Sequence, residues 1–333
     1  MSVDIVVLWV DGSDPAWLAQ KQNYLPPEQG DSSGVNRYRD WDLMPYWFRG
    51  IERFAPWAGK IWFVTWGHVP RWLNTDAPRL RVVRHSEFIP EAYLPTFSSH
   101  TIEMNLHRIE GLSERFVYFN DDMFLLRPAQ ETDFFRGGLP CTCGAEVPWI
   151  FCGDTGAWAH AAANDLGVIN AHFPKRAAVA SHGKKYRHRC HRWQDNVRTL
   201  ALETLYPDHF TGFRNLHAPA AYLKRTFEDV WAAEPELLDR TCSHRFRSRA
   251  DVNQWLCLWW QVAGGQFSPR VPENLVMSAD EENVEHLCRA IRQQSHEMIC
   301  INDPEGAEDI SALSRQIREA FETILPEKSV FER

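Results

Sequence analysis

The sequence from Val3 to Pro15, VDIVVLWVDGSDP, decides the fold. Val3 to Val10 is almost continuously apolar, which is typical of a strand buried on both faces of a parallel sheet. The polar turn that begins at Asp11 ends this strand. Arg115 to Asn120, RFVYFN, repeats the pattern and runs directly into Asp121. The two stretches predict two buried strands that each end in acidic residues.

Strands and helices alternate between these two stretches. Lys60 to Trp66 and Leu80 to Arg84 have the short apolar runs of two further strands. Asp42 to Phe54 has the apolar spacing of an amphipathic helix, and Ser98 to Ile109 suits a second helix. This alternation predicts an α/β fold with a mostly parallel sheet and flanking helices.

The second half of the chain has a different pattern. Residues 128–192 mix Pro, Gly, Cys and Trp without a clear period, so we expect an irregular insertion that covers the site. Beyond it the apolar spacing predicts a mostly helical half. The predicted helices are Trp193 to Tyr206, Ala220 to Ala233, Ala250 to Ala263 and Glu308 to Leu325. We expect a single catalytic domain over residues 1–333, in which residues 1–127 bind the donor and residues 193–333 complete the active site.

The composition excludes several classes of protein. The 333 residues are 44% hydrophobic and carry a formal net charge of −8, so we expect a globular chain without a basic field for nucleic acid. No apolar run is long enough for a transmembrane helix. The start, Met1 to Asp14, lacks the basic region of a signal peptide. We therefore expect a cytoplasmic protein, with peripheral attachment at the inner face of the membrane as an open alternative and the oligomeric state open.

Two clusters in the middle of the chain each allow two interpretations. Cys141, Cys143 and Cys152, with His160, could hold zinc, but no pair of C-x-x-C knuckles is present and free thiols are favoured. Ser181 to Arg192, SHGKKYRHRCHR, is strongly basic and could guide a polyanionic polymer or form a solvated loop.

Polar residues gather where the predicted strands end. Asp11 and Asp14 follow the first strand, and Asn120, Asp121 and Asp122 follow the fourth. In open α/β sheets, ligands bind beyond the carboxyl ends of the strands. One acidic turn is ordinary turn chemistry, but two such turns favour a functional site.

Four segments, in order, resemble the Stealth family of sugar-phosphate transferases. This family includes bacterial capsular polysaccharide phosphotransferases and the catalytic subunit of N-acetylglucosamine-1-phosphotransferase. The resembling segments are IVVLWVDGSDP at Ile5 to Pro15, the block from RYRDWDLMPYWF to YFNDDMFLL at Arg37 to Leu126, LHAP and SHRFRSRADV within Asn215 to Gly265, and ICIND at Ile299 to Asp303. The resemblance implies a Rossmann-like or GT-A-like sheet that binds a nucleotide sugar.

The resemblance also implies a reaction. A sugar 1-phosphate, with N-acetylglucosamine or another hexosamine as the expected sugar, would move from a UDP-sugar donor to a hydroxyl of a polysaccharide or glycan acceptor. UMP would leave, and Mg²⁺ or Mn²⁺ would neutralise the pyrophosphate. The alternatives are a metal-dependent glycosyltransferase that releases UDP and a carbohydrate-binding protein without turnover.

Carried over to this sequence, the family pattern assigns roles residue by residue. The implied catalytic residues are Asp122, His217 and Arg247, and the implied metal ligands are Asp121, Asp122 and Asp303. The implied donor-binding residues are Asp11, Gly12, Ser13, Asp14, Arg37, Arg39, Asp40, Glu103 and Asn120.

Several alternatives to these roles stay open. Asp122 and His217 compete as the general base, and Ala220 stands where animal relatives have a second histidine. Ser13 and Asp14 could simply cap a helix, and Trp9 could pack in the core rather than against a nucleobase. Glu103 and His107 could form a surface pair, Arg37 and Arg39 could be surface charges, and His100 is a further candidate contact to the sugar.

Overall fold

The computed structural model describes residues 2–25, 38–150, 156–304 and 310–333, and it confirms an α/β fold with a mostly parallel central sheet. The strands are β1 Val3–Leu8, β2 Ile61–Thr65, β3 Leu80–Arg84, β4 Arg115–Phe119, β5 Met123–Leu125, β6 Phe135–Arg136, β7 Leu139–Thr142, β8 Ala220–Leu223, β9 Ser268–Pro269, β10 Asn274–Ser278 and β11 Met298–Asn302. The α-helices are α1 Pro15–Tyr24, α2 Met44–Phe54, α3 His85–Phe88, α4 Ser99–Asn105, α5 Glu131–Phe134, α6 Ala157–His172, α7 Lys175–Tyr186, α8 Trp193–Leu205, α9 Lys224–Ala233, α10 Pro235–Ser243, α11 Gln254–Ala263, α12 Val284–Gln293 and α13 Ser311–Ile324. None of the described helices combines the length and the apolarity needed to cross a bilayer.

The central sheet has the strand order β3-β2-β1-β4-β8. β1 pairs in parallel with β2 on one side and with β4 on the other, and its register with β4 runs from Val3↔Arg115 to Val7↔Phe119. β8 closes the far edge antiparallel to β4. The chain builds outward from β1 in one direction and then returns to place β4 on the other side. The boundary between β1 and β4 is therefore the topological switch point, where α/β sheets bind ligands.

A buried carboxylate fastens the amino ends of the three central strands. Asp4 in β1 is 1% exposed. Its side chain accepts hydrogen bonds from the backbone nitrogens of Lys60 (2.9 Å) and Ser113 (3.0 Å) and from the indole nitrogen of Trp62 (2.9 Å). Because a buried carboxylate needs such partners, these bonds fix the positions of β2 and β4 relative to β1.

Two hydrophobic cores cover the two faces of the sheet. Val3, Ile5 and Val7 point into one core, while Val6 points into the other. This alternation follows from the two-residue period of a strand. Helices α2, α12 and α13 supply much of the first core, and α4, α6, α9, α10 and α11 supply much of the second. Burial on both faces explains why the strand sequences are almost continuously apolar.

A second sheet carries a distant part of the chain to the end of β4. It has the order β10-β11-β5, with β11 antiparallel to β5. Cys300 of β11 lies opposite Met123, and the Ile301 nitrogen donates to the Asp122 carbonyl at 2.9 Å. β11 is therefore attached directly to the Asp121–Asp122 turn.

The carboxyl-terminal residues dock against the first half of the chain. Arg49 of α2 donates to both carboxylate oxygens of Glu332 at 2.9 Å and to the Leu325 carbonyl at 2.8 Å. Phe331 is fully buried beside Phe48. The tail is therefore part of the core on that face.

Several regions differ from the sequence expectation, since β9, β10 and β11 lie in the half predicted to be mostly helical and α11 begins at Gln254 rather than at Ala250. Part of the segment expected to be irregular forms the helices α6 and α7. The alanines of this segment favour helix, but its apolar residues do not lie along one side of either helix. The sequence therefore lacks the helical periodicity that would have indicated α6 and α7. Within the predicted helix Ala220 to Ala233, the first four residues instead form β8. Pairing with the exposed edge of β4 overrides the local helical pattern there.

Candidate active site

The turns that follow β1 and β4 meet at the switch point and form an acidic depression. Asp121 is open to solvent yet surrounded by protein atoms, and this desolvation raises its pKa to about 7. The charges of Asp122 and Asp40 add to that rise. Desolvation also raises the pKa of Asp40, with a contribution from Asp11. Asp40 thus interacts with Asp121 and with Asp11, and Asp121 interacts with Asp122, so the four carboxylates form one acidic group that favours a bound cation.

Asp122 lies beside two groups from the second half of the chain. One ligand-type atom each of Asp122, His217 and Cys300 lie within 4.8 Å of one another. Burial raises the pKa of Asp122, while the His217 charge lowers it. Oδ1 of Asp122 is buried and has no hydrogen-bond partner among the described residues. The structure therefore brings together the two residues that compete as general base.

Cys300 is the member of this group that the sequence did not indicate. Burial and the neighbouring Asp122 raise the pKa of its thiol well above the usual range. Its Sγ donates to Oδ1 of Asn302 at 3.4 Å. These causes favour the neutral thiol of Cys300, which packs beside Asp122.

The backbone around His217 is held in an uncommon conformation. His217 has φ of +43°, in the left-handed region that non-glycine residues rarely adopt. The Asn215 side chain accepts from the His217 nitrogen at 2.9 Å. The Asn274 amide donates to the carbonyls of Leu216 (2.9 Å) and His217 (3.0 Å). Strain of this kind persists only where neighbours enforce it, and Asn274 of β10 supplies that enforcement.

Arg247 faces the same acidic pair. Its positive charge lowers the pKa values of Asp121 and Asp122, and its Nη2 donates to Ser99 Oγ at 2.7 Å. This second contact fixes Arg247 to the amino end of α4. Arg247, from the second half of the chain, thus places a positive charge near the carboxylates of Asp121 and Asp122.

A fully buried carboxylate, Asp251, organises the loop that carries Arg247. It accepts from Nδ1 of His244 (2.6 Å), Nδ1 of His100 (3.1 Å) and the backbone nitrogen of Ser248 (2.8 Å). The loop is thereby joined to α4, which carries His100 and Ser99. His100, considered above as a contact to the sugar, is buried, and one of its ring nitrogens is hydrogen-bonded to Asp251.

The turn after β1 is stabilised mainly by its own side chains. Oδ1 of Asp11 accepts from the nitrogen (2.8 Å) and the hydroxyl (2.6 Å) of Ser13. Oδ1 of Asp14 accepts from the Trp17 nitrogen at 2.8 Å and caps α1, as the capping alternative anticipates. The Asp11 nitrogen donates to Nε2 of His68 at 2.8 Å. Burial lowers the pKa of His68, which keeps this acceptor neutral.

Gly12 and Trp9 pack against protein groups. A Cβ on Gly12 would lie 2.0 Å from the Tyr38 carbonyl oxygen, so the glycine is required by the approach of Tyr38. The neighbour that requires the glycine therefore lies within the chain. Trp9 is 6% exposed, and its ring lies 5.4 Å from that of Phe63. This packing agrees with the core interpretation of Trp9.

Asp303 and Arg39 form a separate pair. Nη1 of Arg39 lies 3.5 Å from Oδ1 of Asp303, and the Trp41 indole donates to Oδ2 at 3.1 Å. Within the described residues, Asp303 does not join Asp121 and Asp122 in one compact group of ligand atoms. Arg37 lies outside the described residues.

Glu103 and His107 are both buried, so the surface-pair alternative does not hold. Glu103 accepts from the Tyr118 hydroxyl at 3.1 Å beneath the end of β4. His107 packs between Phe227 and Trp231, and burial lowers its pKa to about 4. Asn120 directly follows β4 and is half-buried.

Cys141 and Cys143, the described cysteines that were considered above as zinc ligands, are free thiols. Among the described residues, Cys141, Cys143 and His160 do not belong to any compact group of three metal-binding side chains. Burial raises the pKa values of Cys141 and Cys143, which favours the neutral thiol. Cys152 lies outside the described residues.

Comparison with known proteins places this arrangement in a family. The models of Stealth conserved regions 1 and 2 match residues 1–26 and 37–140. A capsular polysaccharide phosphotransferase of Streptococcus pneumoniae is 37% identical over 100% of this chain and 99% of its own. A receptor polysaccharide phosphotransferase of Streptococcus gordonii is 36% identical, with 99% and 98% covered. The chain belongs to the Stealth family.

Further Stealth relatives extend this likeness to other bacteria. An exopolysaccharide phosphotransferase of Lactiplantibacillus plantarum is 34% identical over 99% of this chain and 96% of its own. The resemblance inferred from the four sequence segments is therefore confirmed. Conserved region 2 contains Glu103, Asn120, Asp121 and Asp122.

The raised pKa of Asp121 predicts that an uncharged residue at this position stabilises the fold, and that the gain in stability is larger at high pH. The folded pKa of about 7 exceeds the ordinary value, so the destabilising effect of Asp121 appears above the unfolded pKa and grows until pH passes the folded pKa. Asp121→Asn should therefore raise Tm more at about pH 8 than at about pH 5. Thermal unfolding in EDTA measures this, with the exposed Asp229→Asn as control. An equal Tm difference at both pH values would contradict the assignment.

Proposed function

We propose that this Stealth protein transfers a sugar 1-phosphate from a UDP-sugar to a hydroxyl of a polysaccharide acceptor. The grouping of Asp122 with His217 at the switch point, with Arg247 facing the same carboxylate, is the observation that carries this proposal. The proposal is also supported by its relatives, which are named capsular, receptor and exopolysaccharide phosphotransferases. N-acetylglucosamine or another hexosamine is the proposed sugar.

The proposed step is a displacement at phosphorus. The acceptor oxygen attacks the phosphorus bonded to the sugar, a new phosphorus–oxygen bond forms, and the bond to UMP breaks. The acceptor proton moves to a base, and the product is a phosphodiester. We assign the base to His217, because a neutral imidazole near a carboxylate can accept this proton near neutral pH. Asp122 stabilises the imidazolium that results, since its charge interacts with His217.

Arg247 provides fixed positive charge. Its contact with Ser99 leaves the guanidinium beside Asp121 and Asp122, where the diphosphate of the donor would lie. A preorganised guanidinium stabilises charge that develops on phosphoryl oxygens. On the donor side, we propose contacts from Asp11, Gly12, Ser13, Asp14, Arg37, Arg39, Asp40, Glu103 and Asn120.

The oxygen atoms of the depression fit a divalent cation. Oδ1 of Asp122 is buried without a hydrogen bond among the described residues, and Asp121 adds a carboxylate beside Asp122. Oδ1 of Asp303 also accepts no hydrogen bond there, although it lies 3.5 Å from Nη1 of Arg39. Mg²⁺ and Mn²⁺ prefer oxygen ligands, and the Cys300 thiol is not one. We propose that Asp121 and Asp122 hold Mg²⁺ or Mn²⁺, with Asp303, which pairs with Arg39 in this structure, as the third proposed ligand. When bound, the ion would neutralise the charge of the pyrophosphate.

The decisive test identifies the released nucleotide. Purified protein, a panel of nucleotide sugars and a polysaccharide acceptor are incubated with Mg²⁺ or EDTA, and the products are analysed by mass. We expect UMP and a phosphorus-containing product with Mg²⁺, and their loss in Asp122→Ala and His217→Ala. The exposed Asp229→Ala serves as the matched control. Release of UDP with no phosphorus in the product would identify a glycosyltransferase, and binding without turnover would identify a carbohydrate-binding protein.

The hydrogen bonds of Asp251 predict a positioning role for this residue, which acts through the loop that carries Arg247. Asp251→Asn loses a charged acceptor for His100 and His244 and loosens the loop that carries Arg247. We expect kcat to fall by about tenfold to a hundredfold, because small displacements of charged groups have effects of this order. The matched control is Asp165→Asn. Asp165 is also fully buried, and this burial raises its pKa. An equal fall in both variants would contradict the role of Asp251.

The support of His217 by Asn274 generates a further prediction. Asn274→Ala removes both donors that hold the carbonyls of Leu216 and His217. We expect kcat to fall by about tenfold or more while the donor KM changes little, because the base is displaced and the donor contacts are not. Asn274→Asp, which has a similar shape but cannot donate, should behave like the alanine variant. Full activity in Asn274→Asp would show that the two donors do not position His217.

A further inference from the structure

Helix α8 presents an apolar face to solvent. Trp193, Val197 and Leu200 are 71%, 58% and 51% exposed, and their spacing of four and three residues places them on one side of the helix. Leu205 and Tyr206 extend this surface at the end of the helix and are also exposed. Contiguous apolar surface of this kind on a folded protein indicates a binding surface.

The most exposed residues of α8 are uncharged. All exposed residues of α8 are uncharged, namely Trp193, Gln194, Val197, Leu200, Ala201, Thr204 and Leu205. Its ionic residues are engaged in ion pairs, since Asp195 binds the half-exposed Arg198 at 2.7 Å and Arg214 at 2.6 Å. Glu203 pairs with Arg187 at 3.0 Å. A surface helix normally shows the opposite arrangement, with its charges toward water.

Basic residues adjoin the amino end of this face. Lys184, Arg189 and Arg192 are exposed, and no ion pair engages them within the described parts of the chain. The other basic residues of the segment have structural roles, since Lys185 donates to the carbonyls of Gly265 and Phe267. Free positive charge is thus concentrated beside the apolar face of a chain whose net charge is −8.

We propose that the α8 face, with Arg189 and Arg192 at its edge, binds an anionic lipid bilayer in the plane of the interface. The uncharged stripe would enter the boundary between headgroups and acyl chains, and the arginines would contact anionic headgroups. Trp193, at the basic end, suits the headgroup level. A polyanionic polysaccharide would use the arginines but would leave the apolar stripe exposed, so a bilayer satisfies more of this surface.

The buried side of α8 is attached to the segment that carries His217. Arg214 donates to Asp195 at 2.6 Å, and the Thr199 hydroxyl accepts from the Glu146 nitrogen at 3.0 Å. Arg214 lies three residues before His217 in the sequence. A bilayer bound to α8 would therefore hold this segment in a fixed position relative to the lipid surface.

Vesicle flotation of the full chain tests the proposal. The protein is mixed with vesicles of phosphatidylglycerol and phosphatidylcholine in equal parts, or of phosphatidylcholine alone. We expect flotation with the anionic vesicles, weaker flotation with the neutral ones, and a decrease at about 0.5 M NaCl. Replacing Trp193, Val197 and Leu200 together by Ser should lower the partition coefficient by at least about tenfold, because the buried apolar area is lost.

Two further variants keep the result interpretable. Val69→Ser with Val330→Ser removes exposed apolar side chains elsewhere and should float like the unaltered protein. Leu200→Asp is a single-residue second variant that should also lose flotation, and circular dichroism checks that each variant is folded. Absence of flotation, or unchanged flotation in both α8 variants, would overturn the proposal. A dimer that only the α8 variants abolish, without flotation, would assign the face to a second copy instead.

Discussion

The hydrogen bonds of Asp4 fix the amino ends of the central strands, and the position of the acidic turns depends on this constraint. One buried carboxylate joins Lys60 just before β2, the indole of Trp62 and Ser113, two residues before β4, to the central strand. Because the strands then run in parallel and in register, a constraint at their amino ends also determines where their carboxyl ends emerge. The acidic turns after β1 and β4 meet for this reason. Their proximity is a consequence of the sheet, and neither turn could create it alone.

The second half of the chain completes the depression through contacts of a different kind. β11 pairs with β5 and brings Cys300 and Asn302 beside Asp122, while β10 supplies the amide that holds His217 in a left-handed conformation. Arg247 arrives on an irregular loop that a buried carboxylate joins to α4. The carboxylates therefore stand on the central sheet, whereas the imidazole and the guanidinium depend on side-chain hydrogen bonds. Substitutions in these supports should affect the chemistry before they affect the fold.

The sequence allowed the central strands, the acidic turns and the amphipathic helices to be predicted, because each has a local signal. Val3 to Val10 is apolar enough to identify a doubly buried strand, and α13 has a regular apolar spacing. β8 was missed because its extended form is imposed by the edge of β4. The roles of Asn274 and Asp251 depend on partners far away in the sequence, so no local pattern could indicate them. Gly12 is implied by the family pattern as a donor-binding residue, but only the structure shows that Tyr38 requires a glycine there.

The electrostatics of the depression explain why its residues belong to one functional unit. Desolvation raises the pKa of Asp121 to about 7, and the charges of Asp122 and Asp40 add to that rise, while Asp11 interacts with Asp40. Such an arrangement is unfavourable for stability, and no packing requirement of the sheet explains it. Arg247 opposes the pair of carboxylates, whereas Arg39 is already engaged by Asp303. A diphosphate donor would bring further negative charge to the same place. The carboxylates are therefore compatible with donor binding only if additional positive charge is present, which is the physical basis for proposing a divalent cation at this site.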